Sequence, residues 1–336
     1  MDGNRVKEMG RKVFAVAVLP GVTYLFFAVL CGILGIPGFS SLSNLQVVLR
    51  TMVYNSFITW AFSLNLSNGR FDFSLGAVMV LSNMIAAQLA DKFGMGALGM
   101  LALFILSGMA LGTVSGILYI TLQVPPMVSS IGICMIYEAF TSIVTDGNGI
   151  IMIGRNDLLI FASGLPLYGL CIAGLAVVVF LSRFTAFGHH HRALGSGQGV
   201  CVSVGINEKK NAVLCYILAG GLMACAGIIN FSILGTSQVK TGLDSSAYIM
   251  NAFLPMFIGG ALSRYTDRNF GILIGALTQA LITSGFTKLG MSSTLQSVLN
   301  AVIVLCFLFV EANSYRVMER KLFAQKRKSL GIQRAA

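Results

Sequence analysis

Long apolar blocks separated by short polar stretches run through almost the whole chain. A helix rising 1.5 Å per residue needs about 20 mostly apolar residues to cross a hydrocarbon core about 30 Å thick. By that measure the pattern predicts ten spanning helices. Six fall at Val13–Gly35, Leu45–Leu66, Phe73–Ala90, Gly96–Leu122, Met127–Val144 and Ala162–Leu181. Four more follow at Asn211–Leu234, Ala247–Leu262, Phe270–Phe286 and Thr294–Val310. The expected architecture is an all-α polytopic membrane protein: one membrane domain over 13–310, a short segment before it at 1–12 and a basic tail after it at 311–336.

An even number of spans places both termini on one side. With the termini in the cytoplasm, 18 of the 23 lysines and arginines fall in cytoplasmic segments. Basic residues favour that side, so the asymmetry orients the protein and accounts for its net charge of +11. The basic tail VMERKLFAQKRKSL then reads as a topology anchor, and no nucleic-acid partner is expected. The first block is longer than a signal-peptide core of about 7–15 residues, and Leu30 is too large for a cleavage site, so this block is expected to be retained as a span.

Composition agrees: 56% of residues are hydrophobic and 10% charged, against roughly a quarter charged in soluble domains. Six of the seven cysteines lie within apolar blocks, where cysteine acts as a small hydrophobe, and no disulfide is expected.

The stretch SNGRFDFSLGAVMVL, Ser67 to Leu81, places Arg70 and Asp72 between two apolar blocks. Asn68-Gly69 is turn chemistry, and Asp72 stands where its carboxylate can cap the following helix and meet the positive end of its dipole.

Catalytic chemistry is missing from the motifs. No G-x-x-x-x-G-K-[ST], H-E-x-x-H or G-x-S-x-G occurs, so this chain has no phosphate-binding loop of its own. His189, His190 and His191 point about 100° apart on a helix and cannot converge on one metal ion, so no metal site is expected. Glu138 is the one ionisable residue deep in a span, which argues against proton coupling. It is expected to face a translocation path or a partner subunit, or else to bond a neighbouring helix or reach the headgroups. Gly108, Gly112 and Gly116 recur every fourth residue and predict a close helix contact; Gly220, Gly221, Ala224 and Cys225 make a similar small face. Asn55, Ser56 and Thr59, with Asn83 and Asn251, are candidates to line a path for an uncharged polar solute, as are Ser82, Ser129 and Ser130. Each of these can equally bond a neighbouring helix.

GRFDFSLGAVMVLS resembles the Gly-x-x-Asp-Leu-Ser-Val-Gly signature of ribose-type ABC transporter permeases, matching it at Gly69, Asp72, Ser74 and Gly76. ALGSGQGVCVSVGI, Ala193 to Ile206, resembles the segment of that family that docks on the ATPase, and the order of motifs continues to about Val310. The resemblance implies a transport subunit and not an enzyme. It would sit in the bacterial inner membrane and bind no cofactor itself, with ATP and magnesium on a partner ATPase. It also implies an extracytoplasmic solute-binding protein and a second permease subunit, the same chain or a paralogue. A docking segment is expected within 183–210, with Ala193, Leu194, Gly195, Gln198 and Gly205 at the ATPase. Three glycines weaken it as an isolated helix by roughly 1 kcal/mol each, so it is expected to be ordered largely by docking. The implied solute is a monosaccharide or small polyol. A branched-chain amino acid or nucleoside permease, and a stand-alone secondary carrier, are the alternatives.

Overall fold

A computed structural model describes residues 2–155, 157–309 and 313, of which 2–15 by backbone alone. The tail expected at 311–336 lies outside the described residues, except for the backbone at 313.

The chain is a helical bundle. α1 (Asp2–Ile33), α2 (Leu42–Leu66), α3 (Ser74–Lys92), α4 (Ala97–Leu122), α5 (Pro126–Val144) and α6 (Gly164–Phe184) come first. Two short helices follow, α7 (Ala186–Ser196) and α8 (Gln198–Ser203), and then α9 (Glu208–Leu234). Then come α10 (Ala247–Met250), α11 (Phe253–Leu262), α12 (Arg268–Lys288) and α13 (Ser293–Phe309) among the described residues. Eight helical stretches among the described residues are long and apolar enough to cross a membrane. Seven of the ten expected spans appear as continuous helices of that kind, and two differ among the described residues.

The first difference is α2, which is long enough but too polar to be one of the eight. It lies at the centre of the bundle against α9, α11 and α12. Thirteen of its residues are buried, including Trp60, Phe57 and Phe62. A helix sheathed by other helices meets little lipid and can carry Asn55, Ser56, Thr59, Ser63 and Asn65 without exposing them to hydrocarbon.

The second is the block expected as one span at Ala247–Leu262. It is broken: α10 stops at Met250 and α11 restarts at Phe253, with ten residues remaining in the latter. Before it, Asp244–Ser246 forms a single 3₁₀ turn that enters the bundle. The expected last span corresponds to α13, described over Ser293–Phe309, and its expected end at Val310 lies outside the described residues. At the other end of the chain, helix α1 already begins at Asp2, within the segment expected to precede the first span.

α4 and α9 form the most extensive helix pair. The expected glycine stripe lies on it: a Cβ at Gly108 would run into the Gly220 carbonyl, and one at Gly112 into the Tyr216 carbonyl. Gly220 in turn faces Gly108, so the two small faces interlock as small residues do between membrane helices.

Two two-residue strands, β1 (Ile150–Ile151) and β2 (Thr236–Ser237), pair antiparallel with Ile150 opposite Ser237. They mark one end of the bundle; α7 and α8 mark the other.

Candidate functional site

At the α7–α8 end, the polypeptide leaves α2 and reverses through Gly69, whose φ of +73° is readily adopted without a Cβ. The Gly69 N–H donates to the Leu66 carbonyl at 2.9 Å and the Arg70 N–H to the Asn65 carbonyl at 3.1 Å, closing the helix end. Asp72 is fully buried and sits one residue ahead of the α3 N-cap, Phe73. Its carboxylate accepts from the Ser74 N–H at 2.9 Å, the Ser74 hydroxyl at 2.6 Å and the Asn65 side-chain amide at 3.0 Å. Asp72 therefore caps α3, as expected from the sequence, and also ties α3 to α2.

α7 lies across this turn. Thr185 caps it, accepting from the Gly188 N–H at 3.3 Å. Gly188 packs against the Leu181 and Ser182 carbonyls at a distance no side chain would allow. Leu194 is buried, and a Cβ on Gly195 would already touch the Ser67 carbonyl and the Asn68 side chain at 3.0 Å. The Asn68 side-chain amide donates to Nδ1 of His191 at 2.8 Å, which requires that nitrogen to be unprotonated. Burial first, then the positive charges of Arg70 and Arg268, hold His191 down at about 4. His189 instead contacts Arg192, so the three histidines diverge.

Arg70, 2% exposed, lies beneath His191. Its guanidinium donates to Cys215 Sγ at 3.5 Å, while its Nε has no hydrogen-bond partner among the described residues. No carboxylate lies within 4.0 Å of it among those residues.

The docking residues expected from the sequence thus divide. Leu194 is buried and Gly195, though exposed, has its Cβ direction toward Ser67 and Asn68, whereas Gln198 and Gly205 are exposed with no such contact. Ala193 is half-buried. The segment is already helical in the single chain, because Leu194 and His191 anchor it. What the reading of single residues missed is that Val200 on α8 and Val204 just after it are 72% and 74% exposed at this end. The apolar positions in GVCVSVGI are the signal that could have revealed them.

Nearer the strand end, Glu138 on α5 is 1% exposed. Its carboxylate accepts from the Leu243 N–H at 2.8 Å, the Ser245 N–H at 2.8 Å and the Ser245 hydroxyl at 2.6 Å. Of the roles expected for it, the geometry shows a bond to a neighbouring segment. The turn it holds lies so close to α3 that a Cβ on Gly76 would overlap the Ser245 carbonyl. Gly69 and Asp72 therefore build the α2–α3 turn, Ser74 satisfies Asp72, and Gly76 admits the 3₁₀ turn at Asp244–Ser246.

The path candidates do not converge. Ser56 and Thr59 bond carbonyls of their own helix, at Met52 and Asn55. Asn83 packs against Gly227 on α9, Asn55 is buried on α2, and Asn251 is exposed at the break between α10 and α11. None of them, and not Glu138, lines the cavity of about 540 Å³ described below.

Comparison with known proteins adds to this geometry. The chain is similar to the ribose import permease protein RbsC of Escherichia coli strain K12, with 27% identity over 82% of this chain and 87% of that one. It is also similar to RbsC of Bacillus subtilis strain 168, 28% identical over 80% and 84%. The fructose import permease protein FruF of Bifidobacterium longum is 26% identical over 87% and 86%. In fold it resembles an inward-facing metal-chelate type ABC transporter, with a TM-score of 0.55 and 14% identity over 91% of this chain and 99% of that one. Residues 45–308 match the family described as branched-chain amino acid transport system / permease component. The chain is a multi-pass membrane protein and belongs to this family of ABC transporter permeases.

Proposed function

We propose that this chain is the membrane-spanning subunit of an ATP-driven importer, carrying a monosaccharide or similar small polyol across the bacterial inner membrane by alternating access. The likeness to ribose and fructose import permeases supports the solute class. The observation that carries the mechanism is the seating of α7 on the Ser67–Asp72 turn, with exposed valines on and just after the adjoining α8.

In this reading the α7–α8 end faces the cytoplasm, as the distribution of lysine and arginine suggests. Val200 and Val204, with Gln198 and Gly205, form the surface that docks on the ATPase, while Leu194 and Gly195 transmit its motion inward. ATP and magnesium belong to that ATPase. A solute-binding protein delivers sugar at the strand end, and a second permease subunit, the same or a paralogue, completes the pathway. Polar groups such as Asn55, Asn83 and Asn251 would then meet the solute only in the assembled pair or in another conformational state.

The test is reconstitution in sealed vesicles with the ATPase and binding protein. Uptake of radiolabelled monosaccharide should require ATP and all components, and leucine or a nucleoside should not replace the sugar. Uptake by the chain alone, driven by an ion gradient, would overturn the reading.

A further inference from the structure

α6 packs on α2, where a Cβ at Gly174 would meet the Phe57 ring and Val178 is buried, but it touches the α4–α9 pair only sparsely. Near its start it rests on the 3₁₀ turn at Ile160–Ala162, which packs against α9. At its end it is tied to the start of α12: Arg183 pairs with Asp267 at 2.7 Å, and Ser182 accepts from the Asn269 side-chain amide at 2.9 Å. Between these points a cleft of about 540 Å³ opens between α6 and the α4–α9 pair, within the roughly 300–1,000 Å³ typical of small-molecule pockets. Ile105, Met109, Leu170, Val177 and Leu222 make its walls.

Both lips carry side chains suited to hydrocarbon. Leu106 and Val114 on α4, and Ile172, Val177 and Phe180 on α6, are exposed, so the cleft opens sideways into the bilayer. α7 closes it at the α7–α8 end, where its lining turns cationic: Arg183, Arg192 and Arg268 contribute, and Asp267 is the one carboxylate. Asp267 is engaged by Arg183, and neither Arg192 nor Arg268 has a carboxylate within 4.0 Å among the described residues. Apolar walls open to lipid and ending in two uncompensated guanidinium groups match one amphiphile in shape and charge.

We infer that the cleft binds an anionic phospholipid, with an acyl chain between α6 and the α4–α9 pair and its phosphate at Arg192 and Arg268. Guanidinium groups suit phosphate oxygens because their planar donors can bond them in pairs. A basic pocket between membrane helices is where an anionic headgroup gains over a zwitterionic one. The bound lipid fills the gap between α6 and the bundle directly above α7, so its presence should influence how α7 is seated.

The test uses native mass spectrometry of the purified full chain exchanged into mixed phosphatidylglycerol and phosphatidylethanolamine. The expected result is preferential retention of phosphatidylglycerol, falling by about fivefold for each of Arg192→Ala and Arg268→Ala. Arg264→Ala, exposed outside the cleft, should leave the preference unchanged. Ala173→Trp, which fills the cleft from α6, should reduce retention of either lipid while the protein keeps its thermal transition. Equal retention of the two lipids, or a preference that survives the arginine double variant, would overturn the inference. So would an Ala173→Trp variant that loses pairing with a second permease subunit and retains lipid as before, because the cleft would then be a subunit contact.

Discussion

Glu138 and Arg70 are both almost sealed from solvent, and the protein holds them in opposite ways. Glu138 receives three hydrogen bonds from one turn, two from backbone N–H groups. Arg70 has one long contact to a cysteine sulfur and a neighbouring imidazole kept neutral beside it. A buried carboxylate with its lone pairs satisfied locks two segments together, and losing it leaves buried donors unpaired. A buried guanidinium with spare donors gains if its surroundings rearrange to supply an acceptor. The contrast separates a fixed joint near Ser245 from a movable one beneath α7, as expected if force enters at α7 and α8 and acts against a rigid core.

Breaking the fixed joint should have the largest effect. Glu138→Leu leaves the Leu243 and Ser245 N–H groups without their acceptor, and should destabilise the folded chain by about 1–3 kcal/mol for each. Thermal unfolding in detergent should show this, with Glu138→Gln losing less because its amide oxygen still accepts. Gly76→Val attacks the same joint sterically, and overpacking of this kind costs about 1–3 kcal/mol. A melting temperature equal to wild type in Gly76→Val would mean that the turn at Asp244–Ser246 does not sit against α3.

At the movable joint, the effect should fall on coupling more than on folding. Gly195→Leu pushes α7 off Ser67 and Asn68. It should uncouple ATP hydrolysis from uptake while lowering stability by no more than about 1–3 kcal/mol. Wild-type uptake per ATP would argue against α7 as the transmitting element.

His191 sharpens the comparison through pH. Its folded value lies near 4, below the usual 6.5, so above pH 6.5 neither the seated nor the released side chain carries a proton. As pH falls from 6.5 toward 4, the released form gains a proton that the seated form refuses, and seating weakens by up to about tenfold per pH unit. Protection of α7 amides, corrected for the intrinsic exchange rate at each pH, should fall over that window, whereas that of the Ser245 amide should show no matching change. His191→Phe should remove the step.

The smallest effect on the fold should come from Val200→Ser with Val204→Ser, which change stability by within about 0.5 kcal/mol because both side chains are exposed. Affinity for the ATPase, measured by co-purification, should nonetheless fall. Unchanged affinity would move the docking surface elsewhere.

Legibility in the sequence followed the range of each interaction. The helices α3, α4, α5 and α9 lie close to their expected bounds, because crossing a membrane demands a local run of apolar residues. The glycine stripe on α4 was legible for the same reason: its four-residue spacing places every member on one face. The break at Met250–Phe253 was not foreseen, although Asn251 at the break and Pro255 in the first turn of α11 interrupt the apolar run there. The turn before it is held by Glu138, more than a hundred residues earlier in sequence. That 183–210 is a distinct segment between two spans was legible, but the placing of Leu194 and Gly195 against the bundle depends on α7 meeting the α2–α3 turn.

The sequence by itself therefore determined that this is a bundle of membrane helices, which stretches form most of them and where two small faces lie, because apolar length and helical spacing are properties of neighbouring residues. Only the tertiary structure decided which polar side chains are locked and which are poised. Partners such as Asn68 and His191 stand 123 residues apart, and their meeting depends on how the whole bundle closes. Hydrophobicity is additive along a chain, whereas a hydrogen bond needs two groups at one distance and angle, and that geometry exists only after the helices have packed.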